Sequence, residues 1–201
     1  QPSITNCILM GDFGFYFKEG IYHITDWKGY DHILFVMALC LPYLLKDWKQ
    51  ILFMVTAFTI GHSITLALSV FNKILISSEW IEFLIPVTIC ITALENLAKK
   101  NTDKVHYRRR YISVLVFGLI HGMGFSNYLK SMLGKEESIF TQLLAFNIGL
   151  ETGQLFIVAV VVLISFIVVQ ILNTQRREWT VFVSGGIFGL AFVMTLERLP
   201  L

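Results

Sequence analysis

The chain has 201 residues, 55% hydrophobic and 15% charged, with a mean hydropathy of +0.67 and a formal net charge of +2. Soluble domains carry about 25% charged residues, and here the deficit is concentrated: no Asp, Glu, Lys or Arg occurs in 50–72, 111–129, 138–150, 152–175 or 179–196. A soluble globular domain is thereby excluded. So is a nucleic-acid partner, because the basic residues sit in short connecting loops without interleaved aromatics.

Residues 1–28 read as an outer N-terminal segment. Met10 is a candidate start, with QPSITNCIL before it as an extension. The stretch GDFGFYFKEGIYHITDW (11–27) is rich in aromatics and carries only four charges. It is expected to form an amphipathic helix in the membrane interface, with its rings at headgroup level. A bilayer-spanning helix needs about 20 mostly apolar residues, and six such stretches follow, at 29–45, 51–71, 79–98, 111–130, 142–172 and 180–198. The expected fold is therefore all-α: one integral membrane domain over 1–201, polytopic, with six transmembrane helices in 29–198 plus the interfacial helix.

The fifth stretch is too long for one crossing. Its 31 residues would reach about 46 Å as a helix, against an apolar membrane core of about 30 Å. The later part, FIVAVVVLISFIVVQIL, is the most apolar, so Phe140 to Phe146 are expected to project outward or bend over a site. Glu151 then falls in the outer half of the membrane. Orientation follows from Lys and Arg: the loops KDWKQ, KKNTDKVHYRRR and QRRE carry ten of the sixteen. These loops are expected on the cytoplasmic side, with both termini outward and His106 solvated in the second loop.

Ionisable groups within such helices are rare and mark bundle interiors or water-filled cavities. Asp31 and His32 stand at the outer mouth of the first span, in GYDHILFVMALC. His62, in FTIGHSITL, and His121, in GLIHGMGF, lie about eleven and ten residues from the inner ends of their spans, hence roughly 15 Å deep. Asn147, Glu151 and Gln154 form a polar stripe at i, i+4 and i+7. Each has a plain alternative: Asp31 as a helix cap, His62 and His121 as hydrogen-bonding residues between helices (His62 through Thr59 and Ser63), the stripe as a structural network. Glu82 is open between network and site. Glu95 and Asn96 are expected to close an inner helix end beside Lys99 and Lys100, and Glu197 with Arg198 to form an interface anchor or ion pair. The pairs Gly118/Gly122, Gly149/Gly153 and Gly185/Gly189 have the small-xxx-small spacing that lets helices approach. Cys7, Cys40 and Cys90 show no CxxC spacing, so neither a disulfide framework nor a zinc ribbon is supported.

Neutral imidazole suits nickel, zinc, cobalt and iron, and carboxylate suits harder ions. A His and carboxylate set without thiolate points to a borderline divalent transition metal. His32, His62, His121, Glu151, Asp31 and His23 are the candidate ligands, with Ser63, Asn147, Gln154 and Glu82 as a supporting polar network.

The stretches GIYHITDWKGYDHILFVMAL, VTAFTIGHSITLAL, ALENL, FGLIHGMGF and FNIGLETGQL, in that order, resemble the HupE/UreJ family of bacterial membrane proteins, in its second branch. The resemblance implies a six-span protein of the bacterial inner membrane. Better-known members are regarded as nickel permeases with a histidine shortly before an Asp-His pair; His23, Asp31 and His32 match here, with a longer gap. Their later motif has two histidines where this chain has His121 alone. The expected function is a permease for a divalent transition metal, with the metal ion and membrane lipids as partners and a homo-oligomer left open. An intramembrane metal-dependent enzyme, zinc-hydrolase-like with Glu151 or Asp31 as base, is the alternative. A haem held by His62 and His121 and a purely structural role complete the set.

Overall fold

A computed structural model describes residues 4–70, 77–98, 107–125 and 139–200, and every regular element among the described residues is helical. In chain order these are α1 (Ile4–Thr25), α2 (Asp31–Cys40), a 3-10 turn (Leu45–Asp47), α3 (Trp48–Val70), α4 (Ser78–Ala98), α5 (Tyr107–Gly124), α6 (Ile139–Phe166) with a π-helical turn (Ile167–Ile171), and α7 (Arg176–Glu197). Four stretches are long and apolar enough to cross a membrane: Leu45–Ser69, Ser78–Ala98, Ile139–Ile171 and Arg176–Glu197. The spans expected at 29–45 and 111–130 are shorter as helices. α2 stops after ten residues because Pro42 cannot continue it. The end of the other, and His106, Lys99 and Lys100, lie outside the described residues.

α2 is short but central, with eight of its ten side chains buried and packed against α1, α4, α6 and α7. Around it the helices pair off. α3 meets α5 with backbone almost touching backbone: a Cβ at Gly118 would stand 3.1 Å from Cα and C of Phe58 and closer still to its carbonyl oxygen. Gly61 and Gly122 likewise lie against Leu115 and His62. The glycines of HGMGF are thus packing devices, as small-residue interfaces require. α4 pairs with α7, yet Gly185 and Gly189 of α7 face open space, so the spacing expected to pack there does not. The large apolar side chains Phe156, Leu163, Phe182 and Leu190 on α6 and α7 are exposed, the outward surface a helix needs in lipid.

α1 departs from the expected interfacial helix. Among the described residues it forms the most extensive helix pair, with α6. Gly20 seats on the backbone of Phe146, Gly149 on that of Phe17, and Gly153 on Ile21 and Ile24. The glycine bracket around Glu151 therefore holds α1, and this contact carries His23 into the bundle. With its π-helical turn, α6 covers Ile139–Ile171, about 50 Å of helix. The extra length gives α1 a surface to pack on. Asn173, at φ 52°, then turns the chain out of the helix.

Two polar seams fix these pairings. Thr56 Oγ1 donates to Glu151 Oε1 at 2.8 Å and Thr59 Oγ1 to Gln154 Oε1 at 2.9 Å, joining α3 to α6. Near the C-terminal end of α4, Asn96 Nδ2 donates to Ala38 O at 2.7 Å. Arg110 donates to Asn96 Oδ1 at 3.0 Å and Arg177 to Asn96 O at 2.7 Å. Arg177 also reaches Leu97 O, and Arg176 reaches Pro42 O. Asn96 thus gathers α2, α5 and α7.

Candidate metal centre

Four histidines from four helices meet beside α2. His23 comes from α1, His32 from α2, His62 from α3 and His121 from α5. The centre of the His32 ring is 4.7 Å from that of His23, 5.1 Å from His121 and 6.2 Å from His62, and His23 and His62 are 5.7 Å apart. Two imidazoles on one tetrahedral ion, each with nitrogen about 2.0–2.1 Å from it, hold their ring centres roughly 5 Å apart. The rings are thus at metal-site spacing. Their donor atoms do not share one point: among the described residues no group of three or more His, Cys, Asp or Glu is arranged to hold an ion.

The hydrogen bonds assign two tautomers. Thr88 Oγ1 donates its one proton to Ile85 O at 2.7 Å and lies 3.2 Å from His121 Nε2. A carbonyl oxygen can only accept, so Nε2–H of His121 donates to Thr88 and its Nδ1 carries the lone pair. That Nδ1 is buried without a partner among the described residues. His32 Nδ1 lies 3.0 Å from Asp31 Oδ1. A carboxylate holds the proton on that nitrogen, which leaves the lone pair on the buried, unpartnered Nε2. Both His62 nitrogens and His23 Nε2 are likewise buried and unpartnered. Orphaned buried nitrogens in such number are costly unless something binds them.

Asp31 is held from the other side by Arg198, just beyond α7, whose Nη1 is 3.4 Å from Asp31 Oδ2. Arg198, expected with Glu197 as an interface anchor or ion pair, thus forms its ion pair with Asp31. Asp31 itself points at His32 and Arg198, as an orienting carboxylate.

The histidines form the floor of a cavity of about 780 Å³, which His23, Asp31, His32 and His121 line together with Arg198. Glu19, Asp26 and Glu82 stand among its lining too, so acids outnumber the one arginine at its walls. Glu82 is exposed there, which resolves its placement to the cavity. His62, fully buried, stands behind this lining. Glu151 is not part of the group: its carboxylate takes the Thr56 proton in the α3–α6 seam, and Gln154 takes that of Thr59. Ser63 bonds back to Thr59 O at 2.6 Å, and Asn147 Oδ1 is buried without a partner among the described residues.

A family model described as HupE / UreJ protein matches residues 3–198. The chain belongs to the HupE/UreJ family. No curated protein and no solved structure matches it. Of this HupE/UreJ chain's centre, sequence reasoning missed Thr88, Glu19, Asp26 and the role of Arg198. A lone arginine capping an otherwise uncharged run, 179–196, was the available signal for Arg198. Nothing in the sequence pairs Thr88 with His121.

Proposed function

We propose that the protein is a bacterial inner-membrane permease for a divalent transition-metal ion, with the acid-lined cavity facing outward. The observation that carries this reading is the convergence of four imidazoles from four helices, with five buried ring nitrogens that have no partner among the described residues. Membership of a family associated with metal transport supports it.

The chemistry runs inward from the rim. Glu19, Asp26 and Glu82 give the mouth a negative field that concentrates cations. The ion then meets His32 Nε2 and His121 Nδ1, the two nitrogens whose tautomers present a lone pair. Asp31 and Thr88 hold those rings from their far sides, as outer partners of metal-bound histidines do. His23 and His62 supply further neutral donors of the type that suits nickel, cobalt, zinc or iron. An incomplete protein donor set is what a permease needs, because a closed four-donor site would retain its ion.

The reading as an intramembrane metalloenzyme takes Glu151 or Asp31 as its base. Glu151 is engaged by Thr56, and Asp31 by His32 and Arg198. Phe58 packs against both His62 and His121, at 6.0 and 5.3 Å between ring centres. X-ray absorption on purified protein loaded with Ni²⁺ tests the reading. Imidazole scattering lost in the His32→Ala, His121→Ala double variant supports it, and a spectrum unchanged by that variant removes the centre from the pathway.

A further inference from the structure

The cavity is much larger than a bare cargo requires. A divalent ion with six waters occupies roughly 200 Å³, at about 30 Å³ per water. The cavity measures about 780 Å³, inside the range of about 300–1,000 Å³ that accepts organic ligands. Its walls are not those of a water-filled vestibule. Tyr22, Trp27, Ile85 and Phe125 line it beside the charged groups, and Phe125 stacks on Phe146 at 5.1 Å between ring centres to hold its place.

Two further observations concern coordination and charge. The histidine floor offers lone pairs, but no three side chains among the described residues share an ion. The described side chains thus leave coordination positions for ligands that arrive with the ion. Among the described residues that line the cavity, Arg198 is the one permanent cation. It touches Asp31 through Nη1 alone, at 3.4 Å, and its side chain stays 31% exposed. A guanidinium carries five donors in a planar fork made for carboxylates, and among the described residues most of that fork has no partner.

We infer that the cavity takes its metal as a complex with a small chelator of the amino-acid class, bearing carboxylate and amine groups, rather than as the aquo ion. This rests on the permease reading above and names the substrate of the same site. The chelator's carboxylate meets Arg198, its amine hydrogens meet Glu19 and Glu82, and its carbon skeleton lies against Tyr22 and Trp27. The metal's remaining positions are filled by His32 Nε2 and His121 Nδ1. No bond to carbon is made or broken; ligands exchange on the metal, and water leaves.

Equilibrium dialysis of the purified full chain with radiolabelled Ni²⁺ and ¹⁴C-labelled L-histidine tests this. The expected result is nickel-dependent retention of the chelator near one per bound metal, with nickel half-saturating at a concentration at least ten-fold lower than without it. Histidinol, which keeps the amine and imidazole but lacks the carboxylate, should lose that advantage, and Arg198→Gln should lose it for L-histidine. Nickel retained without ¹⁴C, in proportion to the free ion, overturns this inference and leaves the permease reading standing. Retention of neither overturns both.

Discussion

Asp31 and His32 are neighbours in sequence and partners in space, with Oδ1 of the acid 3.0 Å from Nδ1 of the ring. The same oxygen accepts the His32 backbone N–H at 2.8 Å, so the carboxylate is fixed at the first turn of α2. This pair turns a helix start into a ring-orienting device, and Nε2 is left as the outward donor.

Asp31→Asn removes the charge and frees the tautomer while keeping the shape. Loss of an outer partner of a metal-bound histidine typically lowers affinity 10–100-fold, and a loss in that range is expected for Ni²⁺ binding. Titration calorimetry on purified protein checks it. A change under two-fold would mean that His32 does not act through Asp31.

Thr88→Val leaves His121 Nε2 without its acceptor, whereas Thr88→Ser keeps the hydroxyl. Metal affinity should fall several-fold in the first and recover in the second. Equal losses in both would point to packing of α4 instead of tautomer control.

Glu151→Gln is expected to leave Ni²⁺ binding within about two-fold, since Gln also accepts from Thr56 and a neutral hydrogen bond contributes about 1 kcal/mol to stability. Equilibrium binding decides this. A ten-fold loss would return Glu151 to the ligand set that its sequence position suggested.

Gly118→Ala forces a Cβ against the Phe58 backbone. Overpacking of that kind costs about 1–3 kcal/mol, and a backbone neighbour has little freedom to yield. Gly185→Ala, with open space around it, should change stability by no more than about 0.5 kcal/mol. Thermal unfolding in detergent compares the two, and equal midpoints would contradict the close α3–α5 contact.

The helical membrane architecture was legible because lipid forbids unpaired backbone, so long uncharged runs such as 152–175 admit few other readings. His32, His62 and His121 stood out for the same reason, since an imidazole in a greasy helix needs a cause, and the structure brings their rings together. What stayed hidden depends on which faces meet. α1 looks interfacial by composition, and only the glycine seats at Gly20 and Gly149 draw it onto α6 and bring His23 to His32. The stripe of Asn147, Glu151 and Gln154 has to face protein or water, and in the structure Glu151 and Gln154 face α3. Its partners, Thr56 and Thr59, could not be told from metal by periodicity, since a hydroxyl and an ion satisfy the same carboxylate.

Uptake of radiolabelled Ni²⁺, with and without L-histidine, into proteoliposomes bearing the wild-type chain or its His62→Ala and His121→Ala variants tests the central claim most directly. The account predicts time-dependent accumulation by the wild type and its loss, by at least ten-fold, in both variants while each keeps its thermal midpoint within a few degrees. Accumulation unchanged in both well-folded variants, or none by the wild type in either metal form, would contradict it.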